Sequence, residues 1–423
     1  MSFAALRMKS ELGFSDSVYG FGASIFFLTY IISEIPGAIV VERWSARKWI
    51  ARIMVSWGLL TIVTAFIRTT HLFYATRLLL GAAEASFYPG VIVYLTHWFT
   101  AKERAKAVAV FYAAVPAASL IGAALAGSLL GVHWMGISGW RWLFIVEGLP
   151  AVLIGIVTLF YLADQPSDVR WLDDAERDWL IRELGAEKEE KAKLHRLSFF
   201  QTCKDPWVLC LLGGYFSYQT ATTSNTFWLP TFLQRLTNLP ATSTAKLVML
   251  PALAGLFGLL LNARHSDQTG ERKWHTVVPI FCAACCYLLI AQTARSVVPI
   301  VALTVLYSAF SLAAVPSFWA MPTTLLSGTT AAATFGLIMS VAQTGGFFGP
   351  LMVGRINDHF RSVRPSIFFI ACSMFCSATI LAAAKIGVSA SSPQLAGAAA
   401  SAAGFQRDHV IPEIEIQAGW PSS

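Results

Sequence analysis

Charge is scarce in this sequence: 13% of its 423 residues are Asp, Glu, Lys or Arg, where soluble proteins carry roughly 25%. With 56% hydrophobic residues, a water-soluble fold would have too little polar surface to cover its apolar bulk. The signatures of catalysis are also missing. There is no His-Glu-x-x-His, no phosphate-binding glycine loop and no Gly-x-Ser-x-Gly, and the eight His are scattered. No paired nucleophile and base and no metal-ligand set is visible, so an enzyme is not expected, nor any metal or cofactor. The seven cysteines, Cys203, Cys210, Cys282, Cys285, Cys286, Cys372 and Cys376, lie mostly inside apolar runs and offer no disulfide framework. Cys282-x-x-Cys285-Cys286 has a metal-like spacing but no partner pair, and reads as buried thiols. Met1 to Asp16 lacks the apolar core of a cleaved signal peptide.

What remains is long apolar runs. Stretches near the 20 or so residues that cross a bilayer occur at Ser17 to Val41, Trp49 to Ile67, Leu72 to Trp98, Ala107 to Val132, Trp142 to Leu162, Trp207 to Leu233, Ala245 to Leu261, Trp274 to Ala291, Val298 to Leu326, Ala331 to Val353 and Ser366 to Ala384. These are about eleven spans of an all-α, polytopic membrane protein, with Trp98, Trp140, Trp207, Trp228 and Trp274 marking the membrane interfaces. The divisions are 1–163, a first helix bundle; 164–206, a charged connector whose Asp173 and Asp174 can cap a helix; 207–386, a second bundle; and 387–423, an Ala, Ser and Gly rich tail expected to be disordered.

A short charged loop occurs twice between apolar runs, once as Glu42-Arg43-Trp44-Ser45-Ala46-Arg47-Lys48-Trp49 and again as Asp267-Gln268-Thr269-Gly270-Glu271-Arg272-Lys273-Trp274. Two related halves explain the repeat. Arg43, Arg47 and Lys48 share a side with Lys102, Arg104, Lys106, the connector, Arg264, Arg272 and Lys273, and that side is expected to be cytoplasmic. The net charge of +7 therefore reflects membrane orientation and not a nucleic-acid surface. The opposite side holds Arg68, Arg235 and Arg295, with a group at Arg355, Arg361 and Arg364 that the rule leaves over. In the first half the charged loop follows the first span, in the second half the second. The expectation is that one transmembrane helix at the N-terminus is absent.

Arg77 and Glu84 fall inside the span Leu72 to Trp98. Seven residues are close to two helical turns, so both share a face about 10 Å apart along the axis, with Gly81 between them expected to leave open space. An ion at membrane depth faces an aqueous cavity or a partner. Arg77 suits a carboxylate, for which its planar fork is shaped, and Glu84 suits binding and release of a proton; a structural ion pair locking two helices is the alternative. Glu147 could join such a cavity, with Arg141 near enough to be its partner. Glu42, Arg43, Arg47, Lys48, Asp267, Arg272 and Lys273 suit a gate that forms when the cytoplasmic side closes. Tyr215, Tyr218, Gln219 and Asn225, with Gln343 beside Gly345, Gly346, Gly349 and Pro350, suit the reading of substrate hydroxyls where helices open onto a cavity. Each taken singly also suits an interhelical hydrogen bond.

These residues resemble the major facilitator superfamily, and within it the anion:cation symporter family of phthalate, tartrate and hexuronate permeases. The likeness is carried by Ser2-Phe3-Ala4-Ala5-Leu6, Glu42-Arg43 with Ala46-Arg47-Lys48, Arg77-x-x-x-Gly81-x-x-Glu84-Ala85 with Pro89-Gly90, Gly139-Trp140-Arg141-Trp142-Leu143-Phe144 with Glu147-Gly148-Leu149-Pro150, Thr226-Phe227-Trp228-Leu229-Pro230, Ser266-Asp267 with Gly270-Glu271-Arg272, and Gly345-Gly346-Phe347-Phe348-Gly349-Pro350. The resemblance implies the major facilitator fold of two pseudo-symmetric six-helix bundles, alternating access, and proton symport of an organic anion by a monomer in the inner membrane. It places carboxylate binding on Arg77 and proton coupling on Glu84. Ser45 stands where the loop motif prefers Gly and Gln343 where the family often has Asn. The family's first-helix Asp-Arg pair has no counterpart here, so a transport-dead membrane protein or sensor is the second expectation, and a drug exporter a weaker one.

Overall fold

Two of the long helical spans of this chain break next to a proline, while other prolines, such as Pro36 and Pro150, sit inside unbroken helices. A proline removes the backbone donor that the carbonyl four residues earlier needs, and its ring clashes with that carbonyl. Pro89 acts on Ala85, and helix α4 (Thr70–Glu84) ends there, to be followed after a left-handed Ser86 (φ 67°) by α5 (Phe87–Thr96). Pro251 acts in the same way on Leu247, between α10 (Ala241–Leu247) and α11 (Met249–Thr269).

In the computed structural model, which describes residues 1–193, 206–293, 296–325 and 328–384, the chain is almost entirely helical. A short α1 (Ala5–Leu12) leads into α2 (Asp16–Arg43), α3 (Ala46–Thr64), α4, α5, α6 (Ala101–Leu129) and α7 (Gly139–Tyr161). A two-residue hairpin, β1 (His133–Trp134) with β2 (Ile137–Ser138), joins α6 to α7. The connector carries α8 (Asp174–Lys193), and then come α9 (Pro206–Thr237), α10, α11, α12 (Trp274–Gln292), α13 (Val297–Leu325), α14 (Gly328–Phe360) and α15 (Arg364–Ala383). Residues 1–384 form one compact unit, and the tail expected to be disordered lies outside the described residues.

Among the described residues, eight helical segments are long and apolar enough to cross a membrane, several of them opening lipid-sized apolar faces such as Phe160 and Tyr161. The other three expected spans are helical too. Their polarity sets them apart: α3 starts with Arg47, Lys48 and Arg52, α6 is rich in Ala, and α9 carries the run Tyr218-Gln219-Thr220-Ala221-Thr222-Thr223-Ser224-Asn225.

Within the first half α3 packs along α7, and α2 along α4; within the second, α9 lies against α14 and α15, α11 against α13, and α12 against α13 and α15. Between the halves, α2 meets α14 while α6 meets α10 and α11. Small residues permit these approaches: a Cβ on Gly20 would strike the Pro350 carbonyl, and one on Gly354 the Asp16 carbonyl.

Two expectations are corrected. Trp140 and Trp228 are fully buried and so do not mark an interface. Arg141 does not pair with Glu147: its guanidinium holds Glu11 (3.2 Å) and donates to the carbonyl of Ala65 (2.6 Å), while the Trp140 Nε1 donates to Glu11 at 2.7 Å. These bonds tie α1 to α7 and the end of α3. Burial works to raise the Glu11 carboxyl, but hydrogen bonds from Ser138, Trp140 and Arg141 outweigh it and hold the group below its ordinary 4.5. A carboxyl lowered in the fold contributes stability above its unfolded pKa and loses it as pH falls through the folded one. Glu11→Gln is therefore expected to lower the melting temperature in detergent at pH 7, with the gap from the parent closing as pH is taken below 4.5. An equal gap at both pH values would show that the charge is not what ties α1 down.

Candidate functional site

Take the end of the molecule opposite the charged loops as the outer end. Here Asp16, at the start of α2 and only 5% exposed, receives both Nη1 (2.6 Å) and Nη2 (2.8 Å) of Arg235 from α9 and the Lys9 ammonium (2.8 Å) from α1. Asp358 on α14 accepts the backbone N–H groups of Asp16 (3.1 Å) and Ser17 (2.7 Å), a carboxylate seated on a helix N-terminus. Burial pulls the Lys9 ammonium below its ordinary range, against the pull of Asp16. Lys9 also lies 5.0 Å over the Trp228 ring, and the Tyr19 hydroxyl donates to the Phe227 carbonyl (3.0 Å). These contacts join α2 of the first half to α9 and α14 of the second.

One step deeper, Arg77 of α4 reaches the same junction. It is 6% exposed; its Nε donates to the Gly22 carbonyl (3.0 Å), and its guanidinium carbon lies 4.7 Å from the Phe26 ring and 6.0 Å from that of Phe227. Among the described residues its Nη1 and Nη2 donate to nothing and it makes no ion pair with Glu84, which removes the locking ion pair as an account of both. Gly81 does not open space between them. A Cβ there would collide with the Phe26 carbonyl and the Thr29 hydroxyl, so this glycine serves the close crossing of α2 and α4, where Thr29 donates to the Leu78 carbonyl (2.8 Å). Glu84 is the last residue of α4, half-buried at the break that Pro89 imposes. The next turn is pinned by Ser86, whose hydroxyl accepts from Trp49 Nε1 at 3.0 Å.

Of the second-half residues, Gln343 is brought to this junction. It is half-buried, free of hydrogen bonds among the described residues, and lies one turn before Gly346, which touches Phe27 of α2. Phe27 in turn faces Phe227 at 6.3 Å. The others are turned into helix packing. The Tyr218 hydroxyl donates to the Ser311 carbonyl (2.8 Å), Tyr215 stacks on Phe318 (4.4 Å), Asn225 accepts from the Tyr287 hydroxyl, and Gln219 donates to Thr223 (3.2 Å).

The gating residues pair within their own halves. Arg47 donates its backbone N–H to Asp164 (2.9 Å), Arg272 holds Asp267 (2.6 Å), and Lys273 donates to the Ala384 carbonyl (2.8 Å); Arg43 is exposed and Lys48 lies 5.9 Å over Trp44. The Glu42 side chain lies outside the described residues. Among those described, no hydrogen bond or ion pair joins the two loops, whereas the outer end is joined by the Asp16, Arg235 and Asp358 contacts.

Sequence reasoning overlooked Glu34, half-buried in α2 and without a hydrogen bond or ion pair among the described residues; a lone carboxylate in an apolar run was the available signal. Glu147 is likewise unpaired, its carboxylate within reach of the α6 backbone at Gly122.

Residues 1–350 match the Major Facilitator Superfamily model. A candidate tartrate transporter of Agrobacterium vitis is 39% identical over 382 residues, covering 90% of this chain and 87% of its own. A quinolone resistance transporter of Acinetobacter baumannii is 34% identical, covering 88% and 86%. Among solved structures, a bacterial homolog of the human lysosomal transporter Spinster superposes with a TM-score of 0.73 at 16% identity, covering 90% of each chain.

The outer latch can be tested directly. Ser24 is fully buried and shares the α2 face of Gly20 and Phe27, both turned to α14. In right-side-out vesicles, Arg235→Ala or Asp16→Asn is expected to raise several-fold the rate at which a membrane-impermeant thiol reagent labels Ser24→Cys above the background of the same variant lacking that cysteine. An unchanged rate would show that other contacts hold the outer end shut.

Proposed function

The chain belongs to the major facilitator superfamily and is a multi-pass membrane transporter, not an enzyme; from that premise we propose that it carries a small organic acid anion into the cell with protons, across the inner membrane. The observation that carries this reading is Arg77, a buried guanidinium at the junction of α2, α4 and α9 with one N–H engaged and its outer pair of nitrogens uncommitted. Holding such a cation at membrane depth is costly, and an arriving carboxylate offsets that cost while receiving two parallel N–H donors. The rings of Phe26 and Phe227 shape the walls, and Gln343 offers an amide to a hydroxyl or a second carboxylate. The likeness to a candidate tartrate transporter supports the same substrate class.

Glu84 supplies the proton step. It stands two turns along α4 from Arg77 with no ion pair of its own, at a helix break where rearrangement of the chain is least hindered. Protonation neutralises it and lets the loaded carrier change conformation without an extra charge buried at depth. The Acinetobacter relative favours a second reading, export of an aromatic drug, and the aromatic walls around Arg77 fit an aromatic acid as well as an aliphatic one.

Uptake of labelled tartrate, hexuronate and aromatic acids into vesicles energised by a proton gradient separates the two. Arg77→Ala is expected to abolish uptake with the protein still in the membrane, and Arg77→Lys to lower it by an order of magnitude or more because the fork is lost. Normal uptake by Arg77→Ala would remove the site. Glu84→Gln is expected to retain binding while losing the proton flux that accompanies substrate; unchanged proton movement would take the coupling role from it.

A further inference from the structure

The charge pattern left over Arg355, Arg361 and Arg364, and the structure places two of them, Arg361 and Arg364, around a cavity. The cavity, about 710 Å³, lies at the outer end, lined by the start of α2, the end of α9 and the turn between α14 and α15. Arg235, Arg361 and Arg364 line it together with Asp16, Asp358 and Asn357.

Each acid in the lining already has partners. Asp16 is held by Lys9 and Arg235, and Asp358 by the backbone N–H groups that open α2. The cations are less committed. Arg361 is exposed and pairs with nothing among the described residues, and Arg364 gives one nitrogen to the Thr293 carbonyl at 3.0 Å and makes no ion pair among them. The independent sign is Asn357. It is 2% exposed, its Oδ1 accepts from Ser366 at 2.7 Å, and its Nδ2 is buried without any hydrogen-bond partner. A buried amide donor left unsatisfied is costly; Asn357 lines the cavity, and a small turn of its side chain brings Nδ2 to an acceptor placed there.

We propose that this cavity is an outer capture site for a small carboxylate, held by Arg361 and Arg364 and by the Asn357 amide N–H, separate from the central Arg77. The ligand class rests on the transport reading above; the site does not. Guanidinium forks and an amide donor suit a carboxylate, which accepts at both oxygens. Cations at a mouth also raise the local concentration of anions, an effect that salt screens. The site fills while the outer end is latched, and it places the anion beside the Asp16 and Arg235 pair that must part for the outer end to open.

The test uses the full chain purified in detergent and carrying Arg77→Ala, with radiolabelled tartrate as probe. Saturable binding is expected to remain, to weaken at least tenfold with Arg361→Gln and with Arg364→Gln, and to fall as ionic strength rises. Asn357→Asp keeps the side-chain shape but turns the donor into a like charge, and is expected to abolish binding. Should it fail to fold, the two surface arginine variants still decide the matter. No saturable binding in the Arg77→Ala protein would overturn the proposal, as would binding that survives Arg361→Gln with Arg364→Gln, or competition by threitol, which has the same four-carbon chain without charge, as effective as by unlabelled tartrate. Failure of the central site is read separately, from uptake by the protein that differs only at Arg77.

Discussion

An ion taken out of water and into an apolar surrounding must be paired, hydrogen-bonded or left facing a cavity, and the charges of this protein divide along that line. At the outer end each buried charge is matched: Asp16 by Lys9 and Arg235, Asp358 by the α2 N-terminus, Arg141 by Glu11. In the middle the matching stops. Arg77, Glu84, Glu34 and Glu147 make no ion pairs among the described residues, and of the four only Arg77 has a hydrogen bond, to the Gly22 carbonyl. The paired charges fix one arrangement of the helices, and the unpaired ones mark where something else is to be accommodated.

That division has a mechanical counterpart. The latched end is also where glycines let backbones touch, Gly20 against Pro350 and Gly354 against Asp16, so the ion pairs of Asp16 sit beside the closest approach of α2 and α14. The loops at the other end hold their charges within each half. Arg47 sits on Asp164 and Asp267 on Arg272, pairs that keep the basic residues ordered without tying the halves together. The carboxylate at the centre of the outer latch is buried, so the latch parts only as water or another partner replaces Lys9 and Arg235 around Asp16.

Much of the fold was legible in the residues. Apolar run length located the long helices, because a bilayer demands about 20 apolar residues and punishes an unsatisfied backbone; it did not show the short α1 (Ala5–Leu12) or the start of α10. The breaks at Pro89 and Pro251 were not legible, since Leu72 to Trp98 and Ala245 to Leu261 each read as one span and prolines such as Pro36 and Pro150 sit inside unbroken helices. The candidate site was legible in its charges, since Arg77 and Glu84 are conspicuous in an apolar run. It was less legible in its polar residues. Tyr218 and Asn225 share helix α9, yet both turn to hydrogen bonds with neighbouring helices, and nothing in the spacing of Ser, Thr, Tyr and Asn says which ones a neighbour will satisfy.

The sequence by itself determined the membrane environment, the long helical segments, the repeated charged loop and the presence of an Arg and a Glu inside one apolar span, all of which follow from local composition and from spacing along one helix. Only the tertiary structure decided who pairs with whom. It gave Arg141 to Glu11 and not to Glu147, buried Trp140 and Trp228 in place of setting them at an interface, and made Gly81 a crossing point of two helices. It also collected Arg235, Arg361, Arg364 and Asn357 from distant stretches around one cavity. The reason is physical: the partner of a buried charge or amide is chosen by which helix faces lie within about 3 Å, and that distance is set by packing across the fold and not by order along the chain.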